Sequence, residues 1–94
     1  MKEIHINYIM HHGEKIHLKE RITLVPYRSE HDELWLADYE PLGIDVFAYT
    51  KQLLKDFVYE ELSFNYEYFA LEEDKKLAYP SATNLKYSIL EHIK

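Results

Sequence analysis

Residues 50–71, TKQLLKDFVYEELSFNYEYFAL, place apolar side chains at helical spacing for about five turns with neither Gly nor Pro between them. The spacing predicts one long helix from Thr50 to about Leu71. Thr50 is suited to cap it, because its hydroxyl can accept a hydrogen bond from a free N–H of the first turn. On a helical projection Asp56, Glu60, Ser63 and Glu67 fall together on one face. Leu53, Phe57, Phe64, Tyr68 and Leu71 line one flank of the opposite arc, and Val58, Leu62 and Phe69 line the other. An apolar arc this wide predicts a helix packed on two neighbours, with an acidic stripe left to water. Glu61 and Asn65 fall between the flanks, where a carboxylate reads as a rim residue at the seam of two contacts rather than as a buried acid.

Upstream of the helix the period changes to two. Ile4, Ile6, Tyr8 and Met10 alternate with His5, Asn7 and Ile9, and Ile16, Leu18, Ile22 and Leu24 share a face in residues 16–25. Both apolar sets sit at even positions, so facing partners should have numbers summing to an even value. That parity disfavours a two-residue turn at His12-Gly13 and predicts a three-residue loop or a bulge using Gly13 at positive φ. Pro26 ends the second strand, and Tyr27–Asp32 reads as a polar connection. Residues 34–39 form a third strand, Pro41-Leu42-Gly43 a turn, and Ile44–Ala48 a fourth strand that feeds Thr50. After a charged connection at residues 72–76, Pro80-Ser81 marks a second helix with Ser81 as cap and Ala82, Leu85, Ile89 and Ile93 on one face. This short helix depends on docking, and the Val58, Leu62, Phe69 flank is its expected neighbour, which leaves the other flank for the sheet. The expected fold is a single α+β domain over residues 1–94, with two layers: a mainly antiparallel four-stranded sheet (β-β-β-β-α-α) carrying a long helix and a short C-terminal helix on one face.

Composition bounds the function. The 94 residues hold 47% hydrophobic and 15% aromatic side chains, enough for one core. There is no cysteine, hence no disulfide framework or thiolate site, which together with an N-terminus lacking a continuous apolar run gives a cytoplasmic, soluble expectation. The formal net charge of −6 is uneven: residues 56–74 contain seven Asp and Glu and no Lys or Arg. Such a surface repels phosphate backbones and attracts a basic partner.

Chemistry-bearing motifs are scarce. Phosphate-binding loops, nucleophile elbows, paired-histidine zinc helices and dinucleotide fingerprints do not occur, and Ser29, Ser63, Ser81 and Ser88 lack the neighbours of an activated nucleophile. His31 with Asp32 and Glu33 is capable of acid–base work but lies in a connection. In the even registers His11 faces His17 directly or diagonally, with His5 on the same face, and two imidazoles there could hold a metal ion. No third ligand is fixed by spacing, so the sequence assigns no metal and no cofactor.

The segment Asp32–Leu71 resembles the strand–turn–strand–helix unit of HicB-like antitoxins. In that family a Leu-Pro-Gly turn precedes a short strand, a Gly-Asp-Thr cap and an amphipathic acidic helix. Here Pro41-Leu42-Gly43 precedes Ile44–Phe47 and then Ala48-Tyr49-Thr50, with the same seven-residue interval from Gly43 to Thr50. Pro and Leu are exchanged, Ala48-Tyr49 replaces Gly-Asp, a strand precedes the unit, and a helix replaces the strand that comes next in the family. No basic DNA-binding segment remains. The resemblance implies the partner-binding half of an antitoxin, which in that family neutralises a small basic RNA-cleaving toxin.

These observations lead to a small non-enzymatic protein-binding domain. Asp56, Glu60 and Glu67 would face a basic partner, Trp35 and Tyr39 would serve the core or an aromatic anchor, and a sheet edge at the first strand would pair two copies into a dimer. Two alternatives stand beside it. One is an enzyme with a pocket between sheet and helices served by Glu61, His31 or the His11, His17 pair; the other is a homo-oligomeric structural domain.

Overall fold

The computed structural model describes residues 3–31 and 33–94. Its strands are β1 (Ile4–His11), β2 (Glu14–Leu24), β3 (Tyr27–Arg28), β4 (Trp35–Tyr39) and β5 (Ile44–Ala48), followed by helices α1 (Lys51–Asn65) and α2 (Pro80–His92). The architecture is α+β with antiparallel strands, as the period change predicts. The strands divide into a two-stranded β1-β2 sheet and a three-stranded β3-β4-β5 sheet rather than one sheet of four. Pro26, which has no N–H to donate, lies between the end of β2 and the start of β3, where the chain passes from one sheet to the other. The expected polar connection therefore begins with β3, where Tyr27 pairs with Leu36 and Arg28 with Trp35.

The β1-β2 hairpin resolves the parity conflict in an unexpected way. His12 and Gly13 both have positive φ, 49° and 79°, and form a two-residue turn of the kind whose twist suits a hairpin. Near this turn partners sum to 25, as in Ile9↔Ile16 and His11↔Glu14, whereas at the open end they sum to 28, as in Ile4↔Leu24. The shift occurs where Asn7 alone stands opposite Leu18–Arg21, a bulge of three extra residues in β2. The inner face of β1 changes phase at this point, so Ile4, Ile6 and Ile9 are buried while Met10 is exposed. The C-terminus adds to the bulged segment: Ile93 bridges Leu18, and the Lys94 N–H donates to the His17 carbonyl at 3.0 Å.

Helix α1 starts at the predicted cap, where the Leu53 N–H donates to Thr50 Oγ1 at 3.1 Å. Leu54, Val58 and Leu62 are fully buried against β5, β1 and β4. Of the flank expected to face the sheet, Phe57 is half-buried against the core, while Leu53, Phe64, Tyr68 and Leu71 are exposed. After Asn65 the helix widens into a π-helical turn over Tyr66–Ala70, with the Leu71 N–H reaching back five residues to the Tyr66 carbonyl. Ala70 enters the core and Phe69 is half-buried, a one-residue delay relative to the α-helical projection.

Helix α2 docks mainly on this π turn, which contains Phe69 of the expected flank, and on the 3-10 turn Glu40–Leu42. Tyr79 occupies its cap position without a side-chain bond and Pro80 occupies the first helical position, so Ser81 is not the cap. Asn65, the one buried polar side chain among the described residues, joins these parts: its Nδ2 donates to the carbonyls of Leu42 and Gly43, each at 3.0 Å.

Candidate functional site

The exposed flank of α1 borders β5, the last strand of its sheet, which has no strand on its outer side among the described residues. Phe47 on β5 is 63% exposed and Phe64 on α1 is 52% exposed. With Val46 and Phe57 they form the apolar floor of an open groove of about 410 Å³. Asp45, Glu60 and Glu61 complete its lining, so the charged part of the rim is wholly acidic. Leu53 and Leu71 are also exposed, and the Phe64 and Tyr68 rings pack at 4.6 Å. Alternation along β5 explains the arrangement: Ile44, Val46 and Ala48 are buried while Asp45 and Phe47 are exposed.

Asp56, Glu60 and Glu67 meet different neighbours along the helix. Asp56 is exposed beside the groove and accepts a hydrogen bond from Gln52 Nε2 at 3.3 Å, and Glu60 lines the groove itself. Glu67 lies on the π turn, past the point where the helix loses its α-helical phase, and its Oε1 sits 3.2 Å from His12 Nε2 and 3.8 Å from His11 Nε2. Glu61, projected between the apolar flanks, is half-buried on the groove wall. Phe47 escapes sequence reasoning as a site residue because nothing in the sequence marks β5 as a free edge.

The expected histidine pair is not formed. His11 is opposite Glu14 and His17 opposite Tyr8, because the register near the turn is odd. His5 is remote from both, bonded to Thr23 Oγ1 at 3.2 Å. His11 instead stands beside His12, their ring centroids 4.1 Å apart, and together with Glu67 they place three possible metal-ligand atoms within 4.8 Å of one another. His31 is exposed in the turn closed by the Ser29 N–H and the Leu34 carbonyl, and its expected companion Asp32 lies outside the described residues. Trp35 and Tyr39 are half-buried against the core, Trp35 with the Lys51 ammonium 4.4 Å from its ring centre.

Tyr59 has its pKa raised by burial and by Tyr8, and its hydroxyl donates to the His5 carbonyl at 3.1 Å, securing β1 to α1. Tyr27 is raised by its hydrogen bond to Asp38. Asp74 is lowered by hydrogen bonds from Lys86 and Tyr87. The groove thus has the makings of a binding surface: an apolar floor, a strand edge and fixed negative charge. No family of known proteins, no curated protein and no solved structure matches this chain.

Proposed function

We propose that this chain is a protein-binding module that receives an extended, basic segment of a partner protein along the outer edge of β5. The backbone of such a segment would pair with β5, its apolar side chains would cover Phe47, Phe57 and Phe64, and its Lys or Arg side chains would meet Asp45, Glu60 and Glu61. Asp56 extends the negative field from which the partner is steered. The observation that carries this reading is the coincidence, in one groove, of a strand edge without a strand partner among the described residues, an apolar floor and an entirely acidic charged rim. Edge strands with exposed aromatic side chains invite pairing, and exposed apolar patches bordered by polar groups mark interaction sites. An antitoxin-like role, in which the partner is a small basic toxin held inactive, fits the same features. Self-association through this groove is opposed by its charge, since two copies would bring acidic rims together. A non-enzymatic role is part of this proposal.

The test is capture of partners from the native cells by the tagged protein at low and high salt, in parallel with Phe47→Glu and a Glu60→Lys, Glu61→Lys double variant. The reading predicts a basic protein retained by the native chain, released by salt, and lost with both variants while their thermal midpoints stay near that of the parent. Retention of the same protein by both variants would place its binding elsewhere.

A further inference from the structure

The hairpin turn and the π turn, which are distant in sequence, carry ligand-bearing side chains that meet at one point. Neighbouring residues of a strand point to opposite faces, yet His11 and His12 lie ring to ring because His12 takes positive φ at the turn. His12-Gly13 occupies the two positions where Asn-Gly is the preferred pair, so turn stability alone would favour Asn at residue 12. On the helix side, Glu67 is the second residue of the π turn, and its carboxylate oxygen lies 3.2 Å from His12 Nε2 at the hairpin tip. His11 completes the cluster: its Nε2 is shut off from solvent and makes no hydrogen bond among the described residues, the Glu67 oxygen at 3.8 Å being too far. The ring is held in place by Tyr66, whose centroid is 5.1 Å away.

We propose that His11, His12 and Glu67 bind a divalent transition-metal ion of the zinc type. Neutral imidazole nitrogen and carboxylate oxygen are the donors such an ion takes, at about 2.0–2.2 Å, which sets tetrahedral ligand atoms about 3.3–3.6 Å apart. The 3.2 Å and 3.8 Å separations to Glu67 bracket that spacing. The ion would accept the lone pair of the buried His11 nitrogen and pin the hairpin tip to the end of the long helix. Three protein ligands leave a fourth position for water or for a side chain of a partner.

The experiment is calorimetric titration of untagged, chelator-treated full-length protein with zinc chloride, alongside the variants His12→Asn and Glu67→Gln and the controls His5→Ala and His17→Ala. His12→Asn suits the positive-φ turn, so its fold is retained and circular dichroism confirms it. Expected are one equivalent bound with a dissociation constant in the micromolar range or below, at least tenfold weaker binding in each of the two variants, and unchanged binding in both controls. A rise of the thermal midpoint with zinc in the parent, absent in Glu67→Gln, is expected as well. Absence of saturable binding at one equivalent, or binding that survives both variants, would overturn the assignment.

Discussion

Asn65 and Gly43 show how one buried amide can tie a turn to a helix. Gly43 has φ of 68°, and a Cβ there would come within 2.8 Å of Asn65 Nδ2 and 3.0 Å of Leu85. The glycine serves both the turn and the close approach of the amide that ties the turn to α1. Asn65→Ala leaves two carbonyls without their donor, and a loss of about 2–3 kcal/mol is expected from chemical denaturation. Gly43→Ala combines the clash with an unfavourable backbone and should cost at least about 1 kcal/mol in the same measurement. A second residue-scale contact gives a pH prediction. Lys86 Nζ donates to Asp74 at 2.7 Å and to the Glu72 carbonyl at 2.6 Å, and the Tyr87 hydroxyl donates to the other Asp74 oxygen. These bonds hold the Asp74 carboxyl below its ordinary value. A group lowered on folding stabilises the fold above its unfolded value and loses that contribution as pH falls through its folded value. Asp74→Asn is therefore expected to melt below the parent at neutral pH, with the difference shrinking as pH drops below about 4.

At the scale of elements, α1 divides into faces that substitution can tell apart. Leu54→Ala or Leu62→Ala removes a fully buried side chain and should destabilise by about 2–5 kcal/mol, whereas Leu53→Lys or Leu71→Lys should stay within about 0.5 kcal/mol. Denaturant titration of the four variants checks this, and the opposite order would mean that the helix is rotated. The helix, its Thr50 cap and the positive-φ glycine of the Pro41-Leu42-Gly43 turn are legible in the sequence because those signals are local. Which part of a wide apolar arc meets the sheet is not legible, since Leu53, Phe64 and Leu71 are as apolar as Leu54, Val58 and Leu62. The π turn is hidden for a similar reason: an α-helical projection assumes constant phase, and the change after Asn65 leaves no compositional trace. Parity exposes a real conflict in the β1-β2 hairpin. Its resolution, a two-residue turn with a compensating bulge at Leu18–Arg21, rests on the tertiary docking of Ile93 and Lys94 as much as on the hairpin itself.

Across the whole molecule, the division into two sheets decides which surfaces are free. Tyr59 on α1 bonds the β1 backbone at His5, Ile93 and Lys94 pair with β2, and α2 covers the 40–42 turn, while β5 keeps its outer side without a strand partner among the described residues. Fixed charge is distributed in the same sense, with Asp45, Glu60 and Glu61 at the groove beside that strand. Affinity for a basic segment should fall when salt is raised from about 0.05 to 0.5 M, because the rim charges are solvent-facing and screened over a Debye length of about 10 Å or less at 0.1 M and above. The apolar floor is indifferent to that screening, so Phe47→Glu should weaken binding at every salt concentration. The most direct measurement is amide hydrogen exchange of the protein alone and in complex with the basic protein it captures. Edge pairing predicts new protection concentrated in β5, at residues 44–48, with smaller changes in the facing turns of α1. Protection confined to β1 or to α2, with β5 unchanged, would contradict it.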